Sequence, residues 1–398
     1  MPFNILLNAA VSWSIYFIGR RLSRAKGIGF LCGSMFLISR MAYYQIGQVL
    51  GLMETMALWM AVMILWYLFR YLNEKDSHVY FYLSCVLYFG VCFVHERYMA
   101  LFPLLLLVLL FKRSRKLWEW GAGLLSFLLV QIIRAFTIGS ILPAGTGGTQ
   151  VADTFSLADT FKYALSQIAY VFGINAGPEH LNGCPWGQSP LAIKGLVLLA
   201  DACIAVIVLA FVVKLVREKR KDYRVQMLTG LCIASSSVTI RVEMRWVYVS
   251  LVSALLFLAY MYGELTEGVK PELYLKRLWP WGAAFACYVV FMLPVELYYR
   301  ADYPKLYLWP NQLRYNSLAE ETYGRYGDGI FGKTIYIIGD SYEMSDFTAR
   351  TFFKVFDRER AAEGTRVEFI ENIRDIGLVD DRMLVLREDP DHEGFQDI

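Results

Sequence analysis

Long apolar runs dominate residues 1–297, separated by short polar segments. LFPLLLLVLLF (101–111) and ADACIAVIVLAFVV (200–213) are examples. A helix crossing the hydrocarbon core needs roughly 20 mostly apolar residues. On that rule the pattern predicts about ten transmembrane helices, near 3–19, 27–43, 49–69, 79–94, 98–111, 117–138, 191–213, 225–240, 247–262 and 279–297. The 98–111 run is short and must borrow flanking residues to cross. So many runs in one chain exclude an ordinary soluble domain.

The pattern changes at Arg300. YRADYPKLYLWPNQLRYNS (299–317) is polar and aromatic, and KTIYIIGDS (333–341) reads as a buried strand ending in a turn. DFTARTFFKVFDRERAAEG (346–364) reads as a helix with Asp346 as its cap. TRVEFIEN (365–372) and RMLVLRED (382–389) read as further strands. The expected organisation is an all-α polytopic membrane domain over 1–299, with a large loop at 139–190, followed by a small α/β tail over 300–398.

Composition agrees with this division: 57% of residues are hydrophobic, and the mean hydropathy is +0.40. A net charge of +3 is too small to point to nucleic acid. The seven cysteines are scattered, without metal or disulfide spacing, and read as small core residues. The first apolar run precedes its basic cluster, the reverse of signal-peptide order.

Lys and Arg favour cytoplasmic loops. Most loop cations lie in RRLSRAK (20–26), RYLNEK (70–75), KRSRK (112–116), KLVREKRK (214–221) and 263–278, so these are expected inside. The loops at 43–48, 95–97, 139–190 and 241–245 are then outside, as is the C-terminal tail. The amino terminus would also begin outside, as in a genuine N-out protein or in a chain missing its first helix and the loop after it; the second is the favoured expectation.

With this orientation the unusual polar groups gather on the outer face. Glu54 lies at the outer end of the third span, and His95, Glu96 and Arg97 form the next outer loop. TIRVEMRWVY (239–248) adds Arg241, Glu243 and Arg245. Ionisable groups at membrane depth usually pair, face a cavity and mark function. Snorkelling, a solvated turn and interfacial anchoring are the bland accounts of the three groups. Within the 139–190 loop, SLADTFKYALSQIAYVFGI (156–174) has helical apolar spacing and is expected to lie on the outer leaflet. The adjacent Glu179 and His180 read as surface decoration. A transporter would need polar groups near the midplane; Asp201 and Arg134 are the nearest candidates, and both lie toward the ends of their expected helices.

GQVLGLME, HERYMALFPLLLLVLL, the large outer loop and VEMRWVY together resemble membrane glycosyltransferases of the GT-C superfamily, over roughly residues 1–300. The resemblance implies a bacterial cytoplasmic-membrane enzyme. It would transfer a sugar from a polyprenyl-phosphate-sugar donor to a glycan, lipid or protein acceptor of the cell envelope. It also implies a divalent metal, Mg or Mn, held by acidic residues. Glu54 and Glu96 can ligate a hard metal or act as general base, and His95 can orient a carboxylate or accept a proton. Arg97, Arg241 and Arg245, with Glu243 between the last two, are placed to bind the lipid phosphate. The first outer loop of that superfamily carries a key acid, and this sequence begins just after that position. An oligosaccharide polymerase or ligase, a transporter and an inactive truncated protein are the alternatives.

Gly339-Asp340-Ser341 with Asp389-x-x-His392 mimics an SGNH-type esterase. The tail is too short for that fold, and a Gly-Asp-Ser turn is common by chance. His392 also lies near the terminus, where disorder is common.

Overall fold

A computed structural model describes residues 2–47, 51–74, 77–139, 157–175, 185–218, 244–267, 274–301, 308–339, 365–391 and 394–398, with Phe353 and Phe356. The chain divides into two compact units, Met1–Asp302 and Tyr303–Ile398.

The first unit is helical: α1 (Pro2–Ser23), α2 (Lys26–Ile38), α3 (Arg40–Gly47), α4 (Gly51–Asn73), α5 (His78–Val94), α6 (Phe102–Lys112), α7 (Leu117–Ile138), α8 (Leu157–Val171), α9 (Leu191–Glu218), α10 (Met244–Thr266) and α11 (Tyr274–Ala301). Among the described residues, six stretches are long and apolar enough to cross a membrane: Pro2–Ser23, Gly51–Asn73, Leu117–Thr137, Leu191–Glu218, Val247–Thr266 and Pro280–Ala301. Lys26–Ile38 and His78–Val94 are shorter apolar helices. This is a multi-pass membrane protein.

Of the ten expected spans, three fall short in the structure and a fourth, 225–240, lies outside the described residues; 79–94 is one helix of 17 residues, shorter than the six. The run 27–43 is broken at Ser39, whose backbone is extended. The Ser39 hydroxyl donates to the Phe36 carbonyl at 2.7 Å and accepts from the Ala42 amide at 3.2 Å. One side chain thus supplies hydrogen bonds that a continuous helix would make through its backbone. The run 98–111 is a 3₁₀ turn, Glu96–Leu101, leading into α6. At 11 residues α6 alone is shorter than the hydrocarbon core.

Packing between α1 and α2 depends on small residues, as expected where helix faces must meet without hydrophobic driving force. A Cβ on Gly29 would sit 2.6 Å from the Tyr16 carbonyl oxygen, and one on Gly33 would sit 3.1 Å from that of Ser12. The Ser12 hydroxyl donates to the Gly33 carbonyl at 3.0 Å across the same contact.

Helices α4 and α5 form an antiparallel pair with α7 alongside, and this sorts polar groups to opposite ends. Glu54, His95–Arg97 and Arg134 meet at one end. Tyr71, His78, Lys112, Ser114 and Glu119 meet at the other. From Glu119 to Arg134 along α7 is about 22 Å at helical rise. Arg24 pairs with Glu267 at 3.0 Å, and Lys214 donates to the Glu264 carbonyl. Those contacts join three more of the basic loops.

α8 is docked as well as amphipathic. Gln167 is fully buried and accepts from the Ser250 hydroxyl of α10 at 2.8 Å. Leu165 and Ile168 stay exposed on its other side.

The second unit carries α12 (Leu308–Tyr326) and strands β1 (Thr334–Ile338), β2 (Arg366–Ile370), β3 (Met383–Glu388) and β4 (Phe395–Asp397). The sheet order is β2-β1-β3-β4. β1 is parallel to β2 and β3, and β4 is antiparallel to β3. Leu318 and Ala319 of α12 cover Ile335, Ile337, Val367, Leu386 and Phe395. The helix and β4 were not expected. β4 is held to α12 by Phe395, fully buried, whose carbonyl accepts from Arg325 at 3.2 Å and whose amide donates to Thr322 Oγ1 at 3.1 Å. Asp340, Ser341, His392 and nearly all of 346–364 lie outside the described residues.

Candidate active site at one end of the helical unit

Glu54 occupies the first turn of α4, where the helix dipole favours a carboxylate. It is 2% exposed. α5 ends at Val94, and His95 adopts an extended conformation, its amide bonded to the Val91 carbonyl at 2.8 Å. The chain then turns back into the 3₁₀ segment, with the His95 ring as its cap: the Arg97 amide donates to His95 Nδ1 at 3.2 Å. This turn aims both His95 and Arg97 at Glu54.

The carboxylate is shared between them. His95 Nε2 lies 3.1 Å from Glu54 Oε1, and Arg97 Nη2 lies 3.2 Å from Oε2. Because Nδ1 accepts a backbone N–H, Nε2 carries the proton and donates it to Glu54. His95 therefore acts here as a donor to Glu54 and not as an unoccupied base. Arg97 also stacks on Tyr98, its guanidinium carbon 5.2 Å from the ring centre.

Glu96 faces away from Glu54 and pairs with Arg134 of α7 at 2.9 Å. The Glu96 side chain keeps 27% exposure, against 4% for Arg134. Of the two expected acids among the described residues, Glu54 and Glu96, Glu96 is the more open to solvent.

A buried polar network extends the site through Thr55. Asn8 donates to Thr55 Oγ1 at 3.4 Å, and the Tyr248 hydroxyl donates to Asn8 Oδ1. Asn8 also donates to the Asn4 carbonyl at 2.9 Å, while Asn4 reaches the Gln45 carbonyl at 3.3 Å. Sequence reasoning passed over these residues. Two asparagines one turn apart in an apolar helix, Asn4 and Asn8, were the available signal.

A second buried pair involves α3, α8 and α11. Arg40 Nη1 is 2.8 Å from Glu296 Oε1, and the Arg40 amide donates to Oε2 at 2.8 Å. Arg40 Nη2 donates to the Tyr170 carbonyl at 2.7 Å, capping α8. The guanidinium lies between the Tyr170 and Tyr299 rings, at 4.1 and 4.6 Å. Both charged side chains are 1% exposed.

Of the residues expected to act, Glu54, His95 and Arg97 are brought together, and Glu96 is placed beside them in the chain with its own partner. Arg241 and Glu243 lie outside the described residues, as do Glu179 and His180, and only the backbone of Arg245 is described, in the first turn of α10. Among the described residues no group of three or more His, Cys, Asp or Glu is placed to hold a metal ion. No family model, curated protein or solved structure gives a significant match to this chain.

Proposed function

We propose that the chain is a membrane glycosyltransferase. In this reading it moves a sugar from a polyprenyl-phosphate-linked donor to a cell-envelope glycan, lipid or protein, on the outer face of a bacterial cytoplasmic membrane. The observation that supports it is the Glu54–His95–Arg97 cluster beside Glu96–Arg134, at the end of the bundle opposite the basic loops.

Sugar transfer from a lipid phosphate has two electrostatic demands. Negative charge grows on the departing phosphate, and guanidinium groups stabilise it through paired hydrogen bonds. The acceptor hydroxyl must lose a proton, which a carboxylate within hydrogen-bond reach accepts. Glu96 suits the second task because its side chain is partly open to solvent, whereas Glu54 is buried. Arg97 and Arg134 suit the first. Glu54 positions His95 and Arg97. The residues do not fit a divalent cation well, since both Glu54 oxygens face His95 and Arg97 and Glu96 faces Arg134.

The test is polyprenyl-phosphate release by the full chain in lipid nanodiscs, supplied with a panel of polyprenyl-phosphate sugars and envelope acceptors. Glu96→Gln should lower release by about 100-fold or more for loss of a general base, a larger loss than the fraction of protein unfolded by leaving Arg134 without its carboxylate. Release undiminished in Glu96→Gln would sink the assignment of the base, and no release with any donor would sink the reading itself. Transfer only of preassembled oligosaccharide would favour the polymerase or ligase alternative.

A further inference from the structure

At the opposite end of the bundle, Glu119 in the first turn of α7 is fully buried. The Tyr71 hydroxyl donates to its Oε2 at 2.6 Å, and the Ser114 hydroxyl donates to the same oxygen. His78 Nδ1 faces Oε1. A carboxylate receiving three donors is acceptor-only, so His78 Nδ1 carries a proton. The other ring nitrogen, Nε2, lies 2.6 Å from Lys116 Nζ. A charged imidazole would point a second N–H at the lysine, so at this separation the ring is neutral and its Nε2 lone pair is aimed at the amine.

Lys116, His78 and Glu119 thus form a series of nucleophile, base and buried orienting carboxylate, each within hydrogen-bond reach of the next. Lys116 is exposed and His78 is partly exposed, whereas Glu119 is sealed from solvent. Lys112, the other nearby lysine, is occupied: its Nζ donates to the Tyr71 and Glu74 carbonyls at 2.7 and 3.0 Å. Arg113 and Arg115 are exposed on the same loop and supply positive charge that gathers anions.

We propose that Lys116 is a modification site, an activated amine that takes an acyl group from an anionic acyl donor of the acyl-phosphate class. The Lys116 ammonium first gives a proton to His78 Nε2, which passes it to water, and the freed amine attacks the acyl carbon. A C–N bond forms, the C–O bond to phosphate breaks, and the second proton lost from nitrogen leaves with the phosphate as hydrogen phosphate. The product amide carries no charge and cannot donate to His78 as an ammonium does. This site is independent of the transferase reading, since it lies at the far end of the bundle.

The probe is acetyl phosphate, applied to the full chain in nanodiscs at roughly pH 8, with acetylation of each lysine followed by peptide mass spectrometry. Exposed Lys26 serves as the reference. Lys116 should acetylate at least about tenfold faster than Lys26, at the modest end of general-base effects. His78→Gln should bring Lys116 down to the reference rate without changing Lys26. Should that variant fail to fold, His78→Asn, which also removes the imidazole, must show the same collapse of the ratio. Equal rates at Lys116 and Lys26, or a fast Lys116 indifferent to replacement of His78, overturn the proposal.

Discussion

Replacing Arg40 by methionine should be among the most disruptive single changes in the helical unit. Methionine fills much of the volume but leaves Glu296 buried without its guanidinium, which costs about 3–5 kcal/mol. The Tyr170 carbonyl loses its 2.7 Å donor as well, adding about 1 kcal/mol. Glu296→Leu should cost a similar amount, because it strands the Arg40 charge and also the Arg40 amide that donates to Glu296 at 2.8 Å. In Arg40→Met/Glu296→Leu both charges are gone, and what remains is one orphaned amide and one orphaned carbonyl, about 1–3 kcal/mol each. The double variant should therefore be more stable than either single one, or close to the better of the two. Stability can be read by thiol labelling during denaturant titration, since Cys32, Cys85 and Cys92 are free and buried. Single variants within about 1 kcal/mol of the parent, or a double variant equal to the sum of the singles, would refute the account of Arg40 as a charge held by Glu296.

Glu54→Gln should lower stability by about 3 kcal/mol, because Arg97 loses a buried counter-charge, and should impair transfer in proportion to the folded protein lost; Glu96→Gln also strands Arg134, so the measurement that matters is release per folded molecule, which should fall in Glu96→Gln beyond its loss of stability. Gly29→Val should destabilise by about 1–3 kcal/mol through its clash with the Tyr16 carbonyl, whereas Gly27→Ala, with nothing within 4 Å, should be neutral or slightly stabilising in the same titration. The Arg70 hydrogen bond holds the Glu74 carboxyl below its ordinary range, against weak desolvation. A depressed carboxyl contributes stability present above its unfolded value and lost as pH falls through the folded one. For this exposed i,i+4 pair the loss should not exceed about 0.5 kcal/mol, checked by comparing the parent with Glu74→Gln across acid pH.

Much of the candidate site was legible in the chain, and the reason is cost. Glu54 and His95-Glu96-Arg97 stand out because charge beside apolar runs persists only where it is paired. Their convergence also followed from counting, since one helical hairpin returns residue 95 to the level of residue 54. The division of labour was not legible. Nothing in HERY says that Glu96 turns toward Arg134 while its neighbours turn toward Glu54; the 3₁₀ turn that begins at Glu96 decides it.

The other misreadings share a cause. Ser39-Arg40 looked tolerable inside an apolar run, yet Glu296, more than 250 positions away, draws the chain out of helix there. α12 reads as polar linker until Leu318 and Ala319 are seen covering the sheet. The Lys116–His78–Glu119 series joins residues from three segments, each unremarkable alone. Hydrophobic periodicity and the price of burying charge are local properties, so the apolar helices, the break near residue 300 and the polar ends were present in the sequence itself. Which acid meets which cation depends on approach angles between helices distant in the chain, and only the packed structure sets those.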